Sequence, residues 1–479
     1  MNGCRCAKPS SRLDLNSYSL LGGFLFSLTL LLSAPAPAQR SAHGTGGHVT
    51  SEPAEAIWPE MAAGLLEEEQ RGWLLRGSAT FVIQAHPSFR APYEGPRSLR
   101  NGTLQANTTS VDLVIGRRLW EGAEFVVVPQ FTRGYGLSGT SGIAAFPNGE
   151  AFRIGSTPPA GSFTRAFFRQ TIGLSAETVA EQDDDALRFR TPLPRERITI
   201  TAGKFAVFDV FDDNRYAHDP RSQFLNWAFV SGGAFDFAND ARGFTNGLTI
   251  EWENGAWGVR AGAFQVARDI NSLALDPTPL RGWQALLQVD RFWEVNGHPG
   301  AVRLLYGASR TNSARHRDMI ATGFDEAAYE TIRNYRVKHN LLLNFEQEIT
   351  QNLGIFSRLS WNDGRSQSWM YTQMDRAVSA GLALRGEAWG RRGDTVGIAV
   401  NVGWLSGSQR NFLAAGGVGF IAGDGRLRYA PEIAAEAYYD THLAPGINLT
   451  GDIQLVANPA FNADRGPVPF FALRLRAAF

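Results

Sequence analysis

The densest collection of reactive and recognising side chains lies between Phe205 and Asp240. Aromatic residues (Phe205, Phe208, Phe211, Tyr216, Phe224, Trp227, Phe229, Phe235, Phe237) alternate there with Asp209, Asp212, Asp213, Arg215, His218, Asp219, Arg221, Asn226 and Asp240. Such a set supplies donors, acceptors, both signs of charge and flat apolar planes. It does not supply a catalytic array. No Walker, HExxH or EF-hand spacing occurs, and Gly416-Gly417-Val418-Gly419 lacks the strand-to-helix context of a nucleotide fingerprint. The histidines at 43, 48, 86, 218, 298, 316, 339 and 442 are scattered, so neither a metal site nor a cofactor is expected. His339, near a strand end, is the single candidate base for a hydrolase. Asp183-Asp184-Asp185 reads as a solvated charge run.

What positions these residues follows from the rest of the chain. Its 479 residues carry 46 basic and 46 acidic side chains, which disfavours a nucleic-acid partner. Only Lys8, Lys204 and Lys338 are lysines, so the positive charge is almost wholly guanidinium. Arg5, Lys8 and Arg12 precede an apolar run from Leu20 to Ala34, followed by Ala36-Pro37-Ala38. That order predicts a secretory signal peptide over 1–38, cleaved before Gln39. Its 15-residue core falls short of the roughly 20 residues that span a bilayer. Cys4 and Cys6 both precede the apolar run, so the mature chain holds no cysteine, with 43 basic and 45 acidic residues. An exported chain without disulfides needs another source of rigidity.

From Trp73 onward the pattern is period-two alternation. Val396, Ile398, Val400, Val402 and Trp404 alternate with Thr395, Gly397, Ala399, Asn401 and Gly403. Likewise, Phe471, Leu473, Leu475, Ala477 and Phe479 face away from Arg474 and Arg476. Sixteen strands are predicted, near 73–85, 105–119, 123–133, 165–177, 196–204, 244–253, 256–267 and 282–293, then 300–310, 335–349, 353–362, 374–388, 395–406, 427–440, 446–457 and 468–479.

Every second connection is short (120–122, 254–255, 294–299, 350–352, 389–394, 441–445), with 178–195 the exception. The others, including 86–104, 134–164, 205–243 and 407–426, are long. Short–long alternation over an even strand count predicts an all-β, antiparallel transmembrane barrel, with short periplasmic turns and long external loops. A closed barrel leaves no edge unpaired in lipid, which makes outer-membrane lipids its surroundings. Trp120, Trp252, Trp257, Trp283, Trp293, Trp361, Trp389 and Trp404 lie near strand ends, as interfacial girdles would. Terminal Phe479 is similar to the signal read by the barrel-assembly machinery.

Three blocks carry a family resemblance. Gly203-Lys-Phe-Ala-Val-Phe-Asp-Val-Phe-Asp-Asp-Asn-Arg-Tyr-Ala-His218 continues as Asp219-Pro-Arg-Ser-Gln-Phe-Leu-Asn-Trp227. Ala457-Asn-Pro-Ala-Phe-Asn462 is followed by Arg465-Gly-Pro-Val468 and Ala472-Leu-Arg-Leu-Arg476, and Phe168-Arg-Gln-Thr-Ile-Gly-Leu174 is the third. Together they resemble the carbohydrate-selective outer-membrane porins (OprB-like) over about Trp73 to Phe479. The resemblance implies a sixteen-stranded barrel passing small carbohydrates by passive diffusion. It also implies a periplasmic segment ahead of the barrel, here 39–72, in which Glu60–Arg71 reads as a short helix with Met61, Leu65 and Leu66 on one face and Glu67-Glu68-Glu69 opposite.

A pore for sugars should mix donors, acceptors and aromatic planes rather than one sign of charge. Predicted inward positions include Arg260, Arg303, Arg358, Arg385, Arg474 and Arg476. Against them stand Glu251, Glu253, Asp290, Glu346, Glu348, Glu387, Glu432, Glu436 and Asp452, with Gln284, Gln288, Asn344, Asn401 and Gln454 between. Many of these also fit cross-strand pairs that only stabilise the wall. The 205–243 connection is the expected constriction, with Trp227 or Tyr216 as a stacking plane. Exopolysaccharide export, organic-anion passage and, from another class, an outer-membrane hydrolase remain alternatives. Monomer and homo-oligomer both fit an apolar exterior.

Overall fold

Alternation along the chain becomes inside–outside alternation around a closed sheet. The computed structural model describes residues 59–151, 156–179 and 185–479. The predicted signal peptide and its cleavage point lie outside the described residues, as do Asp183 and Asp184. Sixteen strands form the barrel. They begin with β1 (Trp73–His86), β2 (Leu104–Trp120), β3 (Ala123–Gly134), β4 (Ser156–Gly173) and β5 (Arg197–Phe205). Next come β6 (Thr245–Glu253), β7 (Trp257–Gln265), β8 (Trp283–Val295), β9 (His298–Ser313), β10 (Asn334–Thr350) and β11 (Leu353–Asn362). The circuit ends with β12 (Arg376–Arg385), β13 (Thr395–Trp404), β14 (Glu432–Ala444), β15 (Ile447–Ala457) and β16 (Val468–Ala478). Each pairs antiparallel with its sequence neighbours, and β1 closes on β16 with Phe81 opposite Leu475. None of the described helices is long and apolar enough to cross a membrane.

All sixteen predicted strands are present, with two shifted substantially. β4 starts at Ser156 rather than 165, because Thr157-Pro158-Pro159-Ala160-Gly161 runs extended above the alternating part. Prolines in a strand interior mask such a segment from pattern reading. β14 slides from 427–440 to Glu432–Ala444. The one long periplasmic connection folds back as a two-residue ribbon, Thr178–Val179 against Leu193–Pro194.

The outward face carries Phe81, Leu248, Ile250, Leu304, Ile398, Ile453 and Leu473, as a lipid-facing wall requires. The register turns Trp120, Trp252, Trp257, Trp293 and Trp389 outward near the short turns, with Trp283, Trp361 and Trp404 near the long loops. His339 also points outward, its Nδ1 2.8 Å from the Tyr306 hydroxyl.

The seam depends on the last residue. Gly77 and Phe479 exchange two backbone hydrogen bonds of 3.0 Å, and the Phe479 ring covers the space a Cβ on Gly77 would need. An aromatic ring over a strand glycine restores the packing that the glycine lacks.

The inner wall is less polar than alternation alone predicts. Leu74, Val126, Val128, Phe167, Phe264, Leu286, Leu305 and Leu342 all face inward and are buried. Leu304-Leu305 and Leu341-Leu342-Leu343 are apolar on both faces, which period-two reasoning cannot resolve into lipid and lumen sides. The explanation lies in what fills the barrel.

Candidate functional site: the inserted loops and the charged interior

The 39-residue stretch predicted as a constriction enters the barrel, and the described part of the loop after β3 and the loop after β11 enter with it. Residues 206–244 bury Phe211, Phe235 and Phe237 against the apolar inner wall and Phe224 and Phe229 against Phe356 and Tyr438. Burying one such ring contributes about 1.5–3 kcal/mol. The difficulty is the backbone, since an irregular segment inside a barrel has no ladder of its own and every buried amide needs a partner.

The wall provides those partners. The Asp212 carboxylate is fully buried and accepts from Ser231 Oγ (2.6 Å), Gly232 N (2.8 Å) and Asn344 Nδ2 (2.5 Å). Arg358 Nε reaches the same carboxylate at 3.0 Å, while its Nη1 donates to the Phe229 carbonyl at 2.9 Å. Glu436 accepts from the amides of Leu225 (2.6 Å) and Asn226 (2.8 Å). Glu346 takes the Arg215 amide at 2.7 Å and Arg303 Nη2 at 3.1 Å. Gln288 accepts from the Asp212 amide, Gln284 from that of Ala238, and Arg474 donates to the carbonyls of Pro220 and Gln223. Glu432 does the same for the described loop residues 135–151, accepting from Ala144 (3.0 Å) and Ala145 (2.7 Å). Asn226 caps the short helix Trp227–Val230 and ties both loops to Gln454.

An aromatic column joins the three loops. Phe146 stacks on Trp227 with centroids 4.7 Å apart, Trp227 lies 4.2 Å from Tyr371, and Tyr371 lies 4.1 Å from Phe237. Both faces of Trp227 are therefore occupied by protein, so it offers an edge rather than the stacking plane expected from the sequence. Tyr216 is buried too, its ring packed where a Cβ on Gly354 would sit. Asp236 fixes the third loop by accepting from the amides of Trp369 (2.8 Å), Met370 (2.9 Å) and Tyr371 (2.8 Å). At the outer end of that loop, burial pushes the Asp375 carboxyl up to about 6. Lys338 and the Ser406 amide and hydroxyl oppose that rise without cancelling it.

The remaining predicted residues form a different group. Asp213 is 52% exposed and lies 3.9 Å from Arg303. Asp209 grips Arg165 through two hydrogen bonds of 2.7 and 2.6 Å. Arg221 bridges Glu150 (2.9 Å) and Asp112, while its own amide donates to Asp219 at 3.0 Å. Asp219 also feels Arg476. His218 sits edge-on to Phe208 at 5.8 Å. Arg260 pairs with Glu251 (3.1 Å), Glu253 (3.6 Å) and Asp290. These side chains are only partly exposed, and each named guanidinium among Arg165, Arg221 and Arg260 meets at least one carboxylate.

Arg385 ends β12 at the short-turn side, apart from this group. Glu387 is not on the wall at all: it is exposed in the turn Gly386–Trp389, because the strand ends before it. Sequence reasoning missed Arg165, Asp112, Glu150, Asp236 and Tyr371. Two signals could have found the loops of Glu150 and Tyr371, namely the apolar runs Ile143-Ala-Ala-Phe146 and Trp369-Met-Tyr371 in segments expected to face water. Among the described residues no group of three or more His, Cys, Asp or Glu side chains is placed to hold a metal ion.

The model for the carbohydrate-selective porin, OprB family, matches residues 97–479. Among solved structures, the chain is similar to Pseudomonas putida OprB at high pH, with TM-score 0.63 and 15% identity over 88% of this chain and 97% of that one. A low-pH structure of the same protein gives TM-score 0.49 and 13% identity, over 90% and 100%. The outer-membrane channel DcaP of Acinetobacter baumannii gives 0.47 and 8%, over 85% and 97%. At 15% identity the likeness to the high-pH OprB structure bears on the fold. No curated protein sequence matches the chain.

Proposed function

Because the chain belongs to the carbohydrate-selective porin family OprB, a passive outer-membrane channel for small carbohydrates, we propose a division of labour inside its barrel. The buried set (Asp212, Arg358, Glu346, Arg303, Glu436, Asn226) holds the inserted loops. The partly exposed set (Asp209, Asp213, His218, Asp219, Arg221, Arg260, Glu251, with Arg165 and Arg476) lines the path of the solute. The observation that carries this reading is the pairing of charge. Arg165 meets Asp209, Arg221 meets Asp112 and Glu150, and Arg260 meets three carboxylates.

A path lined by neutralised pairs attracts neither anion nor cation strongly. It still presents a dense array of charge-assisted donors and acceptors to sugar hydroxyls. An excess of unpaired guanidinium would instead favour organic anions. Solute moves down its gradient with no catalytic step, cofactor or energy coupling.

Export to the outer membrane would follow signal-peptide cleavage before Gln39. Phe479, which closes the barrel seam, would be the residue offered to the assembly machinery. The apolar exterior would face lipid, or a second copy of the chain in a homo-oligomer.

The test is a swelling assay on liposomes containing the refolded mature protein. Isosmotic monosaccharide should enter faster than amino acid of similar size and faster than organic anion. Equal rates for all three would remove the selectivity and leave a general porin.

A further inference from the structure

One connection on the short-turn side departs from the pattern of the rest, and its described part also enters the barrel. Phe189 is buried in the cluster that contains the inward-facing Leu74, Val114, Val126 and Phe167, and Arg118 lies over its ring at 4.7 Å. Wall arginines hold the backbone on either side. Arg76 Nη1 donates to the Asp185 carbonyl at 2.7 Å, and Arg169 Nη1 donates to the Leu187 carbonyl at 3.1 Å. From below, Glu69 near the end of helix α1 (Pro59–Gln70) accepts the Arg190 amide and lies 3.6 Å from Arg76. The segment is thus fastened at four points, and Arg188 stands between two of them.

Arg188 pairs with Asp185 at 3.0 Å and remains partly open, with 26% of its side chain exposed. The carboxylates of Glu251 and Glu253 on β6 and Glu124 on β3 contribute to the field at Arg188, and each has its own arginine partner. Burial works against the Arg188 charge, and Asp185, Glu251, Glu124 and Glu253 together hold its pKa above the ordinary guanidinium range. Arg169 pairs with Glu124 at 3.2 Å and holds the Leu187 carbonyl, which sets Arg188 beside that pair.

We propose that residues 185–191 form a second selectivity element at the periplasmic exit of the channel, with Arg188 as a partly open cation added to the pairs Arg169–Glu124, Arg260–Glu251 and Arg197–Glu253. The inference rests on the channel reading above. A solute that has passed the outer constriction then meets Arg188 and its neighbouring pairs before it leaves the barrel. In a narrow, weakly screened passage one fixed charge is enough to bias ion passage. Phe189 sets the width of the exit by anchoring the segment on the wall, and Arg188 sets its charge.

The experiment uses the mature protein in planar bilayers under a KCl gradient, with sugar flux measured in parallel by liposome swelling. Arg188→Gln should raise the cation-over-anion permeability ratio about two- to threefold, while Arg188→Lys stays at the wild-type ratio. Phe189→Ala should raise single-channel conductance by freeing the exit. The proposal is overturned if Arg188→Gln and Phe189→Ala, both recovered as heat-modifiable barrels, keep the wild-type ratio, conductance and sugar flux. Should wild type conduct ions but admit no sugar, the carbohydrate reading fails on its own, and the Arg188 ratio still decides the exit element.

Discussion

The two halves of the barrel interior use the same residue types for opposite purposes. On the wall from β8 to β11, polar groups such as Gln288, Asn344, Glu346 and Arg358 are spent on the inserted backbone, and all four are at most slightly exposed. Around β4, β6 and β7, Arg165 pairs with Asp209 and Arg260 with Glu251, and these side chains keep part of their surface open. What separates the two groups is the partner. A carboxylate that faces an irregular loop becomes a substitute for a β-ladder, whereas one that faces a guanidinium across open space keeps hydrogen-bonding capacity for a solute. Charge on the inner face of a barrel is therefore no measure of what a channel binds until the loop backbone has been accounted for.

The sharpest way to break this contrast is to remove the loop. Replacing residues 208–238 by a short Gly/Ser linker should raise single-channel conductance several-fold and flatten discrimination between sugar and amino acid in the swelling assay. Unchanged conductance would mean that the loop does not narrow the path.

Next in size is Arg358→Ala, which strands the Asp212 carboxylate in a dry site. Leaving a buried charge unpaired costs about 3–5 kcal/mol. That loss should appear as faster hydrogen exchange over 206–244, with the barrel strands still protected.

A smaller effect concerns pH and the third loop. The Asp375 carboxyl is raised to about 6 in the folded chain against an ordinary value of 3.8, so the folded state holds the proton more tightly. Between those two values protonation favours the folded loop, and the advantage is lost as pH rises through 6. Lowering pH from 7 to 5 should strengthen protection of residues 363–375 by about 1 kcal/mol, and Asp375→Asn should abolish that dependence.

The least disruptive change is Arg476→Gln on the open side. Stability should move by less than about 1 kcal/mol, while monosaccharide flux and ion preference change. A large stability loss there would place Arg476 with the loop anchors instead.

Much of the wall was legible in the sequence. Period-two alternation in 395–404 and 468–479 fixes which side chains face lipid, because the pleat permits one arrangement once one face must be apolar. Loop parity settled the number and direction of the strands, and the aromatic density of 205–243 marked the loop that enters the barrel. β4 escaped in part because Pro158 and Pro159 suppress the strand signal, and Glu387 was placed on a strand that stops at Arg385.

The sequence by itself determined the barrel, since alternation, turn length and closure are local or nearest-neighbour properties. It could not assign Trp227 or Glu436 to their work, because that depends on partners far away in the chain. Trp227 is covered by Phe146 and Tyr371 from two other loops, and Glu436 reaches amides 210 and 211 positions earlier. Only the tertiary structure brings three loops into one enclosed volume, and there the need to satisfy every buried amide decides which charges are left to meet a solute.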